Sequence, residues 1–259
     1  PGTGKTVVAL HRAAYLLYTH RFPLEGQGVL VVGPNKVFLT YIEQVLPSLG
    51  EAGVHLAVLA DLIPRVTVRG FDSEEVARIK GNSLMKDVLQ RAVRDRERPI
   101  RKELVVGYGL QNLRLRVEES ALIINQARRR YTNHNSARDY VRDSVFEALA
   151  ASARSGEINP TKLKNDLKDT LEIRETLDWM WPSLTAEHFL HDLYGSKALL
   201  RRAGTQSFTE EEIILLHRER TEHASKVLWT EHDAPVLDEA QAILGPRSTF
   251  KEEETIRTF

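Results

Sequence analysis

Pro1-Gly2-Thr3-Gly4-Lys5-Thr6 opens the chain, and the reading of this stretch decides the fold. It matches the end of the phosphate-loop pattern G-x-x-x-x-G-K-[ST], with Gly4-Lys5-Thr6 as the last three positions. The pattern's first glycine would fall before Pro1, and so would the strand that feeds such a loop. The expectation is therefore a piece of a longer polypeptide. A loop of this kind works by geometry. Small residues let backbone N–H groups converge on phosphate oxygens, and the helix that follows adds the positive end of its dipole. Gly2 and Gly4 supply the backbone freedom and Thr3 shapes the loop. Lys5 neutralises the β- and γ-phosphates, as both a binding and a catalytic residue, and the Thr6 hydroxyl holds Mg²⁺. ATP and Mg²⁺ are the expected cofactors. The alternative is a glycine-rich turn before an ordinary helix.

Outward from the loop, Lys5 to about His20 predicts a helix with a broad apolar face. Gly28-Val29-Leu30-Val31-Val32-Gly33 is a β-branched run bounded by glycines, which predicts a strand covered on both faces. A helix is expected over 36–49, with Val37, Phe38, Tyr41, Ile42, Val45 and Leu46 on its buried side. The next strand is expected in His55–Ala60. Strand, helix and strand in this order imply parallel pairing with a crossover helix.

Beyond Asp61 the texture turns helical. Helices are expected over 73–80, 83–98, 118–130, 137–154, 160–179, 185–193 and 207–216. A short hairpin is expected at 104–106 and 113–117, broken by Gly107 and Gly109. Asn159 before Pro160 is a predicted helix start, and Thr209 with Glu212 a predicted capping box. The expected fold class is α/β, an incomplete P-loop NTPase (RecA-like) parallel sheet interrupted by a large, mainly α-helical insertion. The expected segments are 1–60 for the P-loop part, 61–230 for the insertion and 231–259 for the return towards the sheet.

The chain has 259 residues, 42% apolar and 28% charged, with a formal net charge of zero and no cysteine. That composition fits a soluble globular protein and excludes disulfides and thiolate metal sites. A nucleic-acid surface must then be a local patch and not a global field. No apolar run approaches the roughly 20 residues of a membrane span, so a cytoplasmic protein without a membrane partner is expected.

An ATPase of this kind also needs an Asp-Glu pair at the end of a buried strand, to order Mg²⁺ and polarise water. Val236-Leu237-Asp238-Glu239-Ala240-Gln241 has those letters, which makes Asp238 and Glu239 candidate catalytic residues. The stretch before it, Trp229 to Pro235, is polar and holds a proline, which disfavours a central strand. The competing reading is a surface helix over Asp238–Leu244 that ends at Gly245. Arg91, Arg94, Arg96, Arg98, Arg101 and Lys102 form one basic cluster and Arg128-Arg129-Arg130 another. They fit either nucleic-acid phosphate or an acidic protein surface, or else a solvated face offset by Asp95 and Glu97. Asn35 and Lys36 follow a predicted strand and suit nucleic-acid contact or a helix cap. Trp179 and Trp181 suit helix packing or base stacking. The histidines lack metal-ligand spacing, so no zinc site is expected.

The stretches P-G-T-G-K-T-V-V-A-L-H-R-A-A-Y-L-L-Y at 1–18 and V-L-V-V-G-P-N-K-V-F-L-T-Y-I-E-Q-V-L-P-S-L-G at 29–50 resemble the UvrD/Rep-like superfamily 1 helicases, in their HelD-type branch. W-P-S-L-T at 181–185, H-D-L-Y-G-S at 191–196 and A-P-V-L-D-E-A at 234–240 extend the likeness to about Gly245. The 29–50 block is similar to the family's motif Ia, which touches single-stranded nucleic acid. The resemblance implies an ATPase core with a helical insertion, RNA polymerase as partner, nucleic acid as a further one, and ATP-driven release of stalled polymerase. It also implies that Asp238 and Glu239 are decoys, with the working carboxylates on a later strand. A DNA helicase of repair or recombination, or a non-motor P-loop protein with a helical binding module, are the other readings.

Overall fold

The structure, a computed structural model, describes residues 4–19, 29–45, 54–62, 68–154 and 156–247. It is α/β, with one small parallel sheet and many helices. The chain divides into two compact units, Pro1–Asp72 with Leu228–Pro235, and Ser73–Val227 with Val236–Phe259. Among the described residues, no helix is long and apolar enough to cross a membrane.

In the first unit, helix α1 (Lys5–Thr19) precedes strand β1 (Val29–Gly33), helix α2 (Lys36–Val45) and strand β2 (Val54–Val58). β1 and β2 pair in parallel, Val29 opposite Val54 through Gly33 opposite Val58. The parallel pairing and the crossover helix agree with the sequence reading. Coverage on both faces does not. Leu10 of α1 and Ile42 of α2 pack with Val31 and Phe38, while Leu30 is 53% and Val32 50% exposed. Side chains alternate along a strand, and the packed helices meet only the Val31 side. The buried stripe of α2 is also rotated from the expected one. Leu39 and Ile42 are buried, whereas Val37 and Tyr41 face solvent. Residues 37 and 41 lie one turn apart on the next stripe of the helix. Leu46 and the side chain of Val45 lie outside the described residues.

Residues 68 and 229–235 complete this unit. Val68 bridges Trp229 in parallel, and the amides of Arg69 and Gly70 both donate to the Trp229 carbonyl at 2.9 Å. Helix α12 (Asp233–Leu244) starts here.

The second unit begins with α3 (Glu74–Lys80), whose Val76 amide donates to the Ser73 hydroxyl. Helix α4 (Leu84–Arg94) ends four residues earlier than expected. Pro99 disfavours a helical residue at Arg98, and the Arg98 amide turns away to donate to the Met180 carbonyl at 3.0 Å. The hairpin β3 (Leu104–Tyr108) and β4 (Gln111–Leu115) pairs in full, with Gly107 opposite Asn112 inside it. Only Gly109 and Leu110 form the turn, and Gly109 takes φ +60°, as a two-residue hairpin loop requires.

Helices α5 (Val117–Arg130), α6 (Arg138–Ala151), α7 (Pro160–Leu167) and α8 (Leu171–Met180) follow. The single helix expected over 160–179 breaks where the Thr170 amide and hydroxyl both donate to the Leu167 carbonyl. The start of α7 is as the sequence predicts, with Asn159 accepting from the Thr161 and Lys162 amides. Phe146, Leu149, Leu163 and Ile173 form the centre of one core with Leu113 and Leu115 of the hairpin. Helix α9 (Ala186–Tyr194) is capped by Thr185. Helix α10 (Lys197–Gly204), which the sequence reading lacks, is capped by Ser196. The Gly195-Ser196 pair, a helix stop followed by an N-cap residue, was its signal. Helix α11 (Glu210–Leu215) carries the predicted Thr209–Glu212 capping box.

Candidate functional site

Gly4 stands at the start of α1 with φ +70°. Few residues other than glycine adopt that conformation without strain. The Val8 amide donates to the Gly4 carbonyl at 3.0 Å, which closes the first turn. Lys5, Thr6 and Val7 are then the first helical residues, whose amides have no acceptor within the helix. No acidic residue sits in that turn to neutralise the helix dipole. The Lys5 side chain is exposed and forms no ion pair among the described residues, and Thr6 is half-buried. The buried Leu10 and Ala13 seat the helix. Gly2 and Thr3, the other expected phosphate-loop residues, lie outside the described residues. Gly4, Lys5 and Thr6 thus combine a turn open to backbone approach, a cation, a hydroxyl and amides without an acceptor inside the helix, a set that fits phosphate and its magnesium.

Asp238 and Glu239 do not end a strand. They lie in the middle of α12. The Thr230 amide donates to the Asp233 carboxylate at 2.9 Å, and the Asp233 amide donates back to the Thr230 hydroxyl at 3.2 Å. This reciprocal pair is a capping box. It explains why the approach to Asp238 is polar, and Pro235 is tolerated because it falls in the helix's first turn. Asp238 is exposed and Glu239 pairs with Lys86 at 2.9 Å. Neither occupies the strand-end position that water activation in a P-loop site requires.

The other singled-out residues divide by what they touch. The Asn35 side chain accepts from the Phe38 amide at 2.8 Å and caps α2, while Lys36 faces Asp61 at 3.5 Å in the open. Arg91 is held by the Ala203 carbonyl and the Ser207 hydroxyl, and Arg96 by Asp192. Arg128 donates to Glu97 at 2.8 Å and to the Arg94 and Glu97 carbonyls. Glu97, expected as a solvated counter-charge, is buried and also meets the His134 Nδ1 at 3.1 Å. Trp181 is buried, stacks on His134 and donates to its carbonyl. Trp179 stays half-buried between two arginines. The Asn35 cap and the packed Trp181 are among the sequence readings, but the partners of Arg91, Arg96, Glu97 and Arg128 come from distant parts of the chain, which helix periodicity does not show.

No protein-family model matches the chain and no curated protein matches it, so the geometry at Gly4-Lys5-Thr6 is what a functional reading rests on.

Proposed function

We propose that this chain belongs to an ATP-driven motor of the UvrD/Rep-like, HelD-type class. In this reading the parallel β1–α2–β2 unit is part of a P-loop (RecA-like) sheet, and the helical unit is its insertion. The observation that carries the proposal is Gly4, with φ +70°, directly before a lysine and a threonine at the unneutralised end of a fifteen-residue helix. The first-turn amides and Lys5 would hold the terminal phosphates of ATP, and Thr6 would offer its hydroxyl to Mg²⁺. The bound nucleotide supplies a phosphoanhydride whose hydrolysis drives conformational change. Asp238 and Glu239 lie on a helix, so the expectation is negligible hydrolysis by this chain alone, and nucleotide binding is the activity to measure. RNA polymerase, engaged through 61–230, is the partner that follows from the resemblance, and remodelling of polymerase–nucleic acid complexes is the output.

The test is titration of a fluorescent ATP analogue. Lys5→Ala lowers affinity about tenfold or more, the loss of one charge-assisted phosphate contact. Thr6→Ala removes the Mg²⁺ dependence and spares metal-free binding. Equal affinity in the Lys5→Ala chain, or vigorous Lys5-dependent turnover, overturns this reading. Co-purification with RNA polymerase that disappears on deleting 61–230 supports the polymerase partner. Strand unwinding without polymerase binding points to a repair helicase instead.

A further inference from the structure

The second unit holds a cationic groove that nucleotide binding at Lys5 does not use. Two adjoining hollows, of about 460 and 430 Å³, share Arg94, Glu97 and Arg128 in their walls. Every carboxylate on those walls already has a cation. Glu97 pairs with Arg128 at 2.8 Å, Asp95 with Arg202 at 2.9 Å and Glu239 with Lys86 at 2.9 Å. Arg94, Arg98 and Arg101 have no carboxylate partner among the described residues, so the groove has unneutralised positive charge.

Trp179 organises two of these three. Its indole N–H donates to the Pro99 carbonyl at 2.9 Å, and its own carbonyl accepts from the Arg98 Nε at 3.0 Å. The guanidinium carbons of Arg98 and Arg101 stand 3.5 and 3.9 Å from the ring centre. Two groups that close cannot sit side by side on one face, so the indole lies between them. A guanidinium stacked flat on a ring keeps its N–H edge free for an anion. With both indole faces filled, Trp179 offers no platform for a base. Burial, and then the neighbouring Arg96, Arg101 and Arg202, lower the pKa of Arg98, and an anion in the groove would relieve that repulsion.

We infer that Arg94, Arg98 and Arg101 around Trp179 form a binding site for linked phosphates, as in an inorganic polyphosphate or a nucleic-acid backbone. The site recognises charge and spacing, not bases. Three guanidinia without a carboxylate partner among the described residues exceed what one carboxylate neutralises, and their planar forks suit phosphate oxygens. A hollow of about 430 Å³ has the size of a small-ligand pocket.

The experiment uses the full chain carrying Lys5→Ala, which silences the phosphate loop and keeps the two readings separable. The probes are inorganic tripolyphosphate by calorimetry, a labelled oligothymidine by anisotropy at two salt concentrations, and polyglutamate as the carboxylate control. Tripolyphosphate is expected to bind, and Arg98→Gln with Arg101→Gln to weaken it about tenfold or more. Arg94→Gln, at an exposed side chain with no hydrogen bond or ion pair among the described residues, is the second variant and weakens binding with the circular dichroism unchanged. Salt-sensitive oligothymidine binding that falls in the same variants identifies a nucleic-acid backbone as the source, and tripolyphosphate binding alone identifies a free polyphosphate. Either outcome supports the site. Failure of both phosphate probes to bind, affinity unchanged in both variants, or polyglutamate binding as tight as tripolyphosphate overturns it.

Discussion

In the first unit, Gly4, Lys5 and Thr6 are consecutive, and one helix start orients all three. In the second, Arg94 leaves the end of α4, Arg98 and Arg101 follow in the loop after it, and Trp179 comes from α8. The packing runs the other way. Around the consecutive site, Tyr15, Tyr18, Leu30, Val32, Val37 and Tyr41 face solvent. Beside the assembled one, Phe146, Leu149, Leu163 and Ile173 are almost wholly buried. A site written into consecutive residues needs only the geometry of one turn, which a sparsely covered sheet still provides. A site assembled from separate elements needs those elements held in place, and a closed core does that.

This contrast breaks most visibly in stability. Phe146→Ala empties a buried aromatic site and is expected to cost about 3–5 kcal/mol. Leu30→Ala, on the open face of β1, is expected to cost less than about 0.5 kcal/mol. Urea denaturation followed by circular dichroism measures both, and comparable losses would mean that the β1 face is covered after all. Next in size is Arg128→Ala. It leaves the buried Glu97 carboxylate with His134 as its remaining ionisable partner and three hydrogen bonds unmade. A loss of about 2 kcal/mol is expected in the same denaturation experiment. A neutral result would show that the assembled charges float free of the core.

What the sequence made legible follows the same division. The glycine-lysine-threonine turn, the Asn159 cap and the Thr209–Glu212 box are set by neighbours a few residues apart, and the parallel pairing of β1 and β2 follows from the order strand, helix, strand. The break at Thr170 depends on one hydroxyl turning back to Leu167, and a continuous apolar period conceals it. The burial of Glu97 depends on residues 128 and 134 arriving from beyond the hairpin, so local pattern showed only an acid among arginines. At Asp238-Glu239 the helix reading holds and the strand-end reading does not. The letters match a short motif, while the Thr230–Asp233 box five to nine residues upstream decides that they belong to a helix. The basic clusters looked uniform in sequence, yet Arg96 and Arg128 meet carboxylates and Arg91 a carbonyl and a hydroxyl, whereas Arg94, Arg98 and Arg101 have no carboxylate partner among the described residues.

The two capping boxes sharpen the comparison at a smaller scale. Thr230 is buried and its hydroxyl also donates to Asp72 at 2.5 Å, whereas the Thr209 box is exposed. Thr230→Ala is expected to cost about 1 kcal/mol or somewhat more, and Thr209→Ala about half of that, within the range for N-cap losses. Thermal melts of the two variants rank them, and the reverse order would mean that burial adds nothing to the cap at Thr230.

The smallest effect concerns Tyr108, another group tuned from far along the chain. Its phenol donates to the Asp166 carboxylate at 2.7 Å across the surface of the second unit. That hydrogen bond, with a little desolvation and the carboxylate's charge, raises its pKa above the ordinary tyrosine value. The protonated phenol is the form the fold favours. The contribution is therefore complete below the unfolded value, about 10, and is lost as pH rises through the higher folded value. Asp166→Asn removes the charged acceptor, so one tyrosine should ionise at lower pH in an ultraviolet titration of that variant than in the parent protein. Superimposable curves would mean that Asp166 does not reach Tyr108 in solution, and that the second unit's long-range pairings extend no further than its buried residues.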